Sequence, residues 1–132
     1  MTDKKYFYAI GRRKTASVNV RLFTGSGASM INNKPVEEVI TLATSRTKLL
    51  KPFIVADLRP NDFHFTAKTQ GGGFSAQLEA LNLALAKAIV QYEPTLRKVL
   101  KTNRLLTRDP RMVERKKPGH RKARKSEQFS KR

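Results

Sequence analysis

The stretch GGGFSAQLEALNLALAKAI, Gly71 to Ile89, decides the fold of this chain. Three glycines in a row stop whatever element precedes them. After them Leu78, Leu81, Leu85, Ala88, Ile89 and Tyr92 recur at steps of three and four, with alanines between, which is helical spacing. The run is apolar almost all round, so this helix is expected to be the main core element, covered by a sheet. Pro94 ends it and starts a shorter helix in which Leu96, Val99 and Leu100 make the buried stripe.

The sheet has to come from upstream. Tyr6 to Ile10 is rich in aromatic residues and reads as a strand. Gly11-Arg12-Arg13-Lys14 reads as a basic turn. From Ala16 to Phe23, Ala16, Val18, Val20 and Leu22 alternate with Ser17, Asn19 and Arg21, the period of a half-buried strand. Gly25-Ser26-Gly27 reads as a hairpin turn into a third strand, Ala28 to Ile31, which Asn32-Asn33-Lys34 ends. Pro35 suits the first turn of a helix carrying Val36, Val39 and Ile40, with Glu37 and Glu38 where the helix dipole favours anions. A second short helix is expected over Ser45 to Leu50. Pro52 to Leu58 fits no single period. Pro60-Asn61-Asp62 is a turn, and Phe63 to Ala67 is a fourth strand.

After Leu106 the composition changes. The chain carries 28 Lys and Arg against 10 Asp and Glu, a formal net charge of +18, and 10 of those cations with only 2 of the acids lie in residues 111–132. Met112, Val113, Ala123 and Phe129 are the apolar positions there, and they keep no period. Such a segment cannot bury enough surface to offset an ordering cost of about 1–2 kcal/mol per residue for the backbone alone. It is expected to be disordered in isolation and to order on a polyanion. One globular domain over residues 1–106 and a basic tail over residues 107–132 are therefore expected.

Composition also excludes function classes. With no cysteine there is no disulfide, thiolate zinc site or cysteine nucleophile, and the chain suits a reducing compartment. No apolar run approaches the roughly 18 residues of a membrane span, and Met1 to Lys5 does not read as a signal peptide. A cytosolic protein is expected. His64 and His120 are the only histidines, one in a strand-like run and one in the tail; Asp57 and Asp62 read as scattered surface acids. No cluster has the spacing of metal ligands, so no metal, cofactor, small-molecule substrate or catalysis is expected. The triple glycine does not match a nucleotide loop, because Phe74 stands where a Walker loop needs Lys, although a contact with a phosphate stays compatible with it. It reads as an entry to the helix packed closely against a strand. The tail is interrupted by Pro118-Gly119, so it does not supply the amphipathic basic helix of a membrane-active protein.

What remains is a polyanion-binding protein, whose partner by charge is a nucleic acid, an anionic membrane surface or an acidic protein. Arg12, Arg13 and Lys14 on a turn, and Arg108, Arg111, Arg115, Lys116, Lys117, Arg121, Lys122, Arg124 and Lys125 along the tail, are the candidate phosphate-binding residues.

Four stretches in order, GRRKTASV (Gly11 to Val18), GGGFSAQLEALNLALAKAI, LTRDPRMVERKKPG (Leu106 to Gly119) and RKARKSEQFSKR (Arg121 to Arg132), resemble the family of the ninth protein of the small ribosomal subunit in its bacterial form. The resemblance covers essentially the whole chain. Glu79 and Asn82 depart from it, standing where smaller or more basic residues are expected. It implies an α+β fold, a four-stranded mixed sheet with helices packed on one face and an unusual left-handed crossover, plus the basic C-terminal tail. It implies a structural role in the subunit head, with ribosomal RNA and neighbouring head proteins as partners. It also implies that the tail reaches the peptidyl-site transfer RNA, with Ser130, Lys131 and Arg132 on the anticodon stem. The alternative is the protein subunit of a transfer-RNA-processing ribonuclease, or another basic RNA-binding protein. That subunit would carry an Arg-rich helix where this chain has Ala, Leu and a lone Lys87.

Overall fold

A computed structural model describes residues 5–130. Strand β1 (Tyr6–Arg13) and strand β2 (Ala16–Thr24) form an antiparallel hairpin in the register Arg13 to Ala16, closed by Lys14 and Thr15. The basic segment is therefore mostly strand: Gly11, Arg12 and Arg13 extend β1, and the turn is only two residues long. Lys14 takes a left-handed φ of 51° to make it.

β3 (Met30–Ile31) and β4 (Lys34–Pro35) are two residues each, and β5 (Phe63–Gln70) completes a five-stranded sheet in the order β1-β2-β5-β3-β4. Two expectations change here. Gly25 to Gly27 is not a hairpin turn: the chain leaves β2, passes β5 and pairs β3 parallel to it, with the Gly25 N–H bonded to the Asp62 carbonyl at 2.7 Å. The sheet also has a fifth strand. Asn32 and Asn33 both adopt positive φ, 51° and 65°, which closes a two-residue hairpin and turns Lys34–Pro35 back beside Met30–Ile31. Pro35 thus pairs as an edge residue, and helix α1 (Val36–Val39) begins one position later.

Helix α2 (Ala43–Val55) is longer than its periodicity suggests, and Pro52 lies inside it, buried. It stops at Asp57, φ 58°, with Leu58 N–H on the Phe53 carbonyl and Asp57 N–H on the Ile54 carbonyl, a Schellman cap. Helix α3 (Phe74–Tyr92) is the central element, and α4 (Arg97–Thr102) follows the turn at Pro94.

The core lies between one face of the sheet and α3. Val18, Val20 and Leu22 of β2 are fully buried on that face, as are Leu81, Leu85 and Ile89 of α3; each such side chain contributes about 1.5–3 kcal/mol. α3 packs on β1 and β2, and α2 packs on α3. Among the described residues no helix packs on the other face of the sheet. β1 is an edge strand, and α3 satisfies two of its free carbonyls: the Gln91 amide donates to Tyr8 O at 2.7 Å and the Lys87 ammonium to Ile10 O at 3.3 Å. The triple glycine does pack closely on a strand. A Cβ at Gly71 would lie 2.6 Å from Thr15 O and one at Gly72 would lie 2.9 Å from the Ala16 Cβ, and both residues have positive φ.

Candidate nucleic-acid interface

Strand alternation divides the three cations near the first turn. In β1 successive side chains point to opposite faces, so Arg12 and Arg13 cannot act together. Arg12 is exposed. It shares a shallow groove of about 280 Å³ with Ile10, Lys87 and Arg108. Three cations from β1, α3 and the start of the tail thus converge on one concavity open to a phosphate. Lys14 is exposed on the turn.

Arg13 points the other way and is 9% exposed. Its Nε donates to Glu79 Oε2 of α3 at 2.6 Å and its Nη1 to the Arg111 carbonyl at 2.5 Å, while Nη2 lies 3.5 Å from Asp109 Oδ2. The guanidinium fork therefore joins β1, α3 and the root of the tail. Glu79 is the acid that this buried cation meets. Nothing in the helical period of α3 signals that partner; only the alternation of β1 does, once Arg13 is placed in the strand.

Asp109 anchors the same root. Arg111 donates to it from its side chain at 2.7–3.0 Å and from its backbone N–H at 3.0 Å. These bonds, with the charge of Arg111 and then of Arg13, hold the Asp109 carboxyl far below the usual carboxylate range, and Asp109 in turn raises the Arg111 guanidinium. The folded-state pKa is depressed, so the stabilisation is present above the unfolded value near 4 and is lost as pH falls through the folded value. The expected result is an Asp109 carboxyl resonance that stays at its ionised shift while free carboxylates titrate, moving only in stronger acid. NMR titration of the full chain checks it; a midpoint near the unfolded value would mean that the contact is not made in solution.

Beyond Leu106 no helix or strand forms among residues 107–130. Glu114 collects Lys117 and Arg124, and both hydrogen bonds lower its pKa. Gly119, φ 80°, turns the chain, and an isolated bridge joins His120 to Ser126. The tail thus contains a small loop closed on one acid. Among the described residues no ion pair engages Arg115, Lys116, Arg121, Lys122 or Lys125, all of them exposed or nearly so. Ser130 is exposed; Lys131 and Arg132 lie outside the described residues.

Among the described residues no group of three His, Cys, Asp or Glu could hold a metal ion, and no helix is long and apolar enough to cross a membrane. His64 is half-buried. Its ring stacks on Phe23 at 5.0 Å, and Nδ1 lies 3.0 Å from the Gly25 carbonyl.

Comparison with known proteins gives one consistent answer. Residues 11–132 match the model of the family described as Ribosomal protein S9/S16. The chain is 47% identical to the small ribosomal subunit protein uS9 of Chlorobaculum tepidum and 45% identical to those of Chlorobaculum parvum and Chlorobium limicola. In each case 98% of this chain aligns with 99% of the relative. A full-length match of that strength, on a mixed α+β domain with a cation-rich C-terminal segment, shows that the chain belongs to the ribosomal protein S9/S16 family.

Proposed function

We propose that this chain binds ribosomal RNA in the head of the small ribosomal subunit and reaches the peptidyl-site transfer RNA with its C-terminus. As a member of its family it is a structural constituent of the small subunit and not an enzyme. Arg12, Lys14 and Arg108 hold phosphates at the edge of the sheet. Arg111, Arg115, Lys116, Lys117, Arg121, Lys122, Arg124 and Lys125 neutralise phosphates along the tail, and Ser130, Lys131 and Arg132 contact the anticodon stem. Arg13 serves the same end from inside, by fixing where the tail leaves the domain. The β3-to-β5 crossover is left-handed, neighbouring head proteins are further partners, and the site of action is the cytoplasmic ribosome.

The observation that supports this best is the tail itself: a ladder of cations without helix or strand, rooted by a buried arginine beside an exposed cationic groove. A segment without a fixed shape of its own can follow crevices in RNA, and its contacts position and neutralise without reading sequence. The ribonuclease reading is not favoured, since α3 offers one cation, Lys87, in place of an Arg-rich face.

Removing Ser130-Lys131-Arg132 tests the tip. Small subunits carrying the truncation are expected to assemble normally and to bind peptidyl-site transfer RNA about tenfold more weakly at low salt, the loss shrinking as salt rises. Filter binding with purified subunits reads the difference. Unchanged affinity would remove the tip from the decoding centre.

A further inference from the structure

The bare face of the sheet is not a plain solvated surface. None of the strands β1, β2 and β5 contains an acid. On this face two cross-strand rows lie side by side, Tyr8–Arg21–Thr66 and Ile10–Asn19–Lys68. With Asn32 of the β3–β4 turn these residues, Ile10 excepted, line a groove of about 520 Å³. Tyr8 is 42% exposed, and the Arg21 guanidinium stands 5.3 Å over the neighbouring Tyr6 ring. Among the described residues no acid pairs with Arg21 or Lys68. The groove abuts the Arg12–Lys87–Arg108 concavity, since Ile10 lines one and its cross-strand partner Asn19 lines the other.

We propose that this sheet face is a second RNA site, one that takes unpaired nucleotides: a base stacks on Tyr8, the flanking phosphates meet Arg21 and Lys68, and Asn19 and Thr66 bond the base edges. It rests on the reading of the chain as an RNA-binding ribosomal protein. The uncompensated positive charge selects a polyanion. The exposed ring and the amide and hydroxyl groups between the cations select a single strand, because a duplex hides the faces of its bases and shows mainly phosphate and 2′-hydroxyl. A protein partner would have to bring acids to Arg21 and Lys68, and no acid of the three strands competes with RNA for them.

Two measurements test the site. In the full chain, Tyr8→Leu removes the flat ring and keeps an apolar side chain. It is expected to weaken binding of a short unpaired RNA about tenfold, with no change for a duplex of the same length or in the salt slope, while Tyr8→Phe stays within about twofold of the native chain. Equal losses for both RNAs, or none, overturn the site. In assembled small subunits, p-benzoylphenylalanine is placed at Tyr8 and, as a control, at Lys125. Crosslinks from Tyr8 to unpaired ribosomal RNA support the site. Crosslinks to a protein or to helical RNA, or silence at Tyr8 while Lys125 reacts, overturn it and leave the ribosomal reading standing. Silence at both positions overturns both.

Discussion

Gly11→Ala is expected to lower the stability of the free chain by about 3 kcal/mol or more, enough to move its melting midpoint down by on the order of 15 °C. A Cβ at this position would lie 1.9 Å from the Ala80 carbonyl oxygen, 2.8 Å from Ala84 N and 2.9 Å from the Ala80 carbonyl carbon. All three atoms are backbone, so no rotamer change relieves the clash. α3 would have to move away from β1, and it carries Leu81, Leu85 and Ile89 into the core against Val18 and Val20. A small shift of that helix loosens many dispersion contacts at once. Gly73→Ala is the control, since a Cβ there meets nothing within 4 Å and the residue does not have positive φ. Thermal and urea unfolding followed by circular dichroism should separate the two variants. A Gly11→Ala chain that melts with the native one would mean that α3 does not lie on β1 as described.

The alanines between the leucines of α3 were visible in the sequence, but not that Ala80 and Ala84 make the face that meets Gly11. The long strands and the central helix were legible, since their apolar periods extend over enough residues to be read. The pairing order was not. Periodicity tells which face of a strand is buried and says nothing of its neighbour, so Gly25-Ser26-Gly27 looked like a hairpin when the chain in fact passes β5. β3 and β4 have two residues each, too few for any alternation, and the Asn32-Asn33 turn between them is visible only as a turn signal. Pro52 hid the second half of α2, because a proline in the last turn removes a bond that the packing around Phe53 and Leu49 outweighs.

For the candidate interface, composition located the cations but not their directions. The tail could be read as a ladder since nothing in it competes with charge. The segment from Gly11 to Lys14 could not, because reading it as a turn erased the alternation that sends Arg12 outward and Arg13 inward. Lys87 was visible in the motif, yet its place beside Arg12 and Arg108 depends on α3 crossing β1, and no local pattern reports that.

Arg12→Ala and Arg13→Ala are therefore expected to differ in kind. The Arg13 guanidinium is almost wholly buried, hydrogen-bonded to two groups and ion-paired with a third, so its removal leaves the Arg111 carbonyl and the Glu79 carboxylate without this donor, while Asp109 keeps its bonds from Arg111. Breaking a fully buried pair costs about 3–5 kcal/mol; Glu79 is half exposed and can return to water, which brings the expected loss to about 2 kcal/mol. Arg13→Lys should recover only part of it, since one ammonium cannot reach a carboxylate, a carbonyl and a second carboxylate with fork geometry. The root of the tail should come loose as well, seen as faster amide exchange at Asp109, Arg111 and Met112. Arg12→Ala removes an exposed side chain and should change stability by less than about 0.5 kcal/mol. Its effect belongs to RNA binding: one lost phosphate contact reduces the slope of log K against log salt by about 0.7–0.9. Arg13→Ala should leave that slope unaltered, provided the comparison is made well below the variant's unfolding midpoint. If instead Arg13→Ala flattens the slope and leaves stability intact, the guanidinium faces RNA and the clasp does not exist in solution.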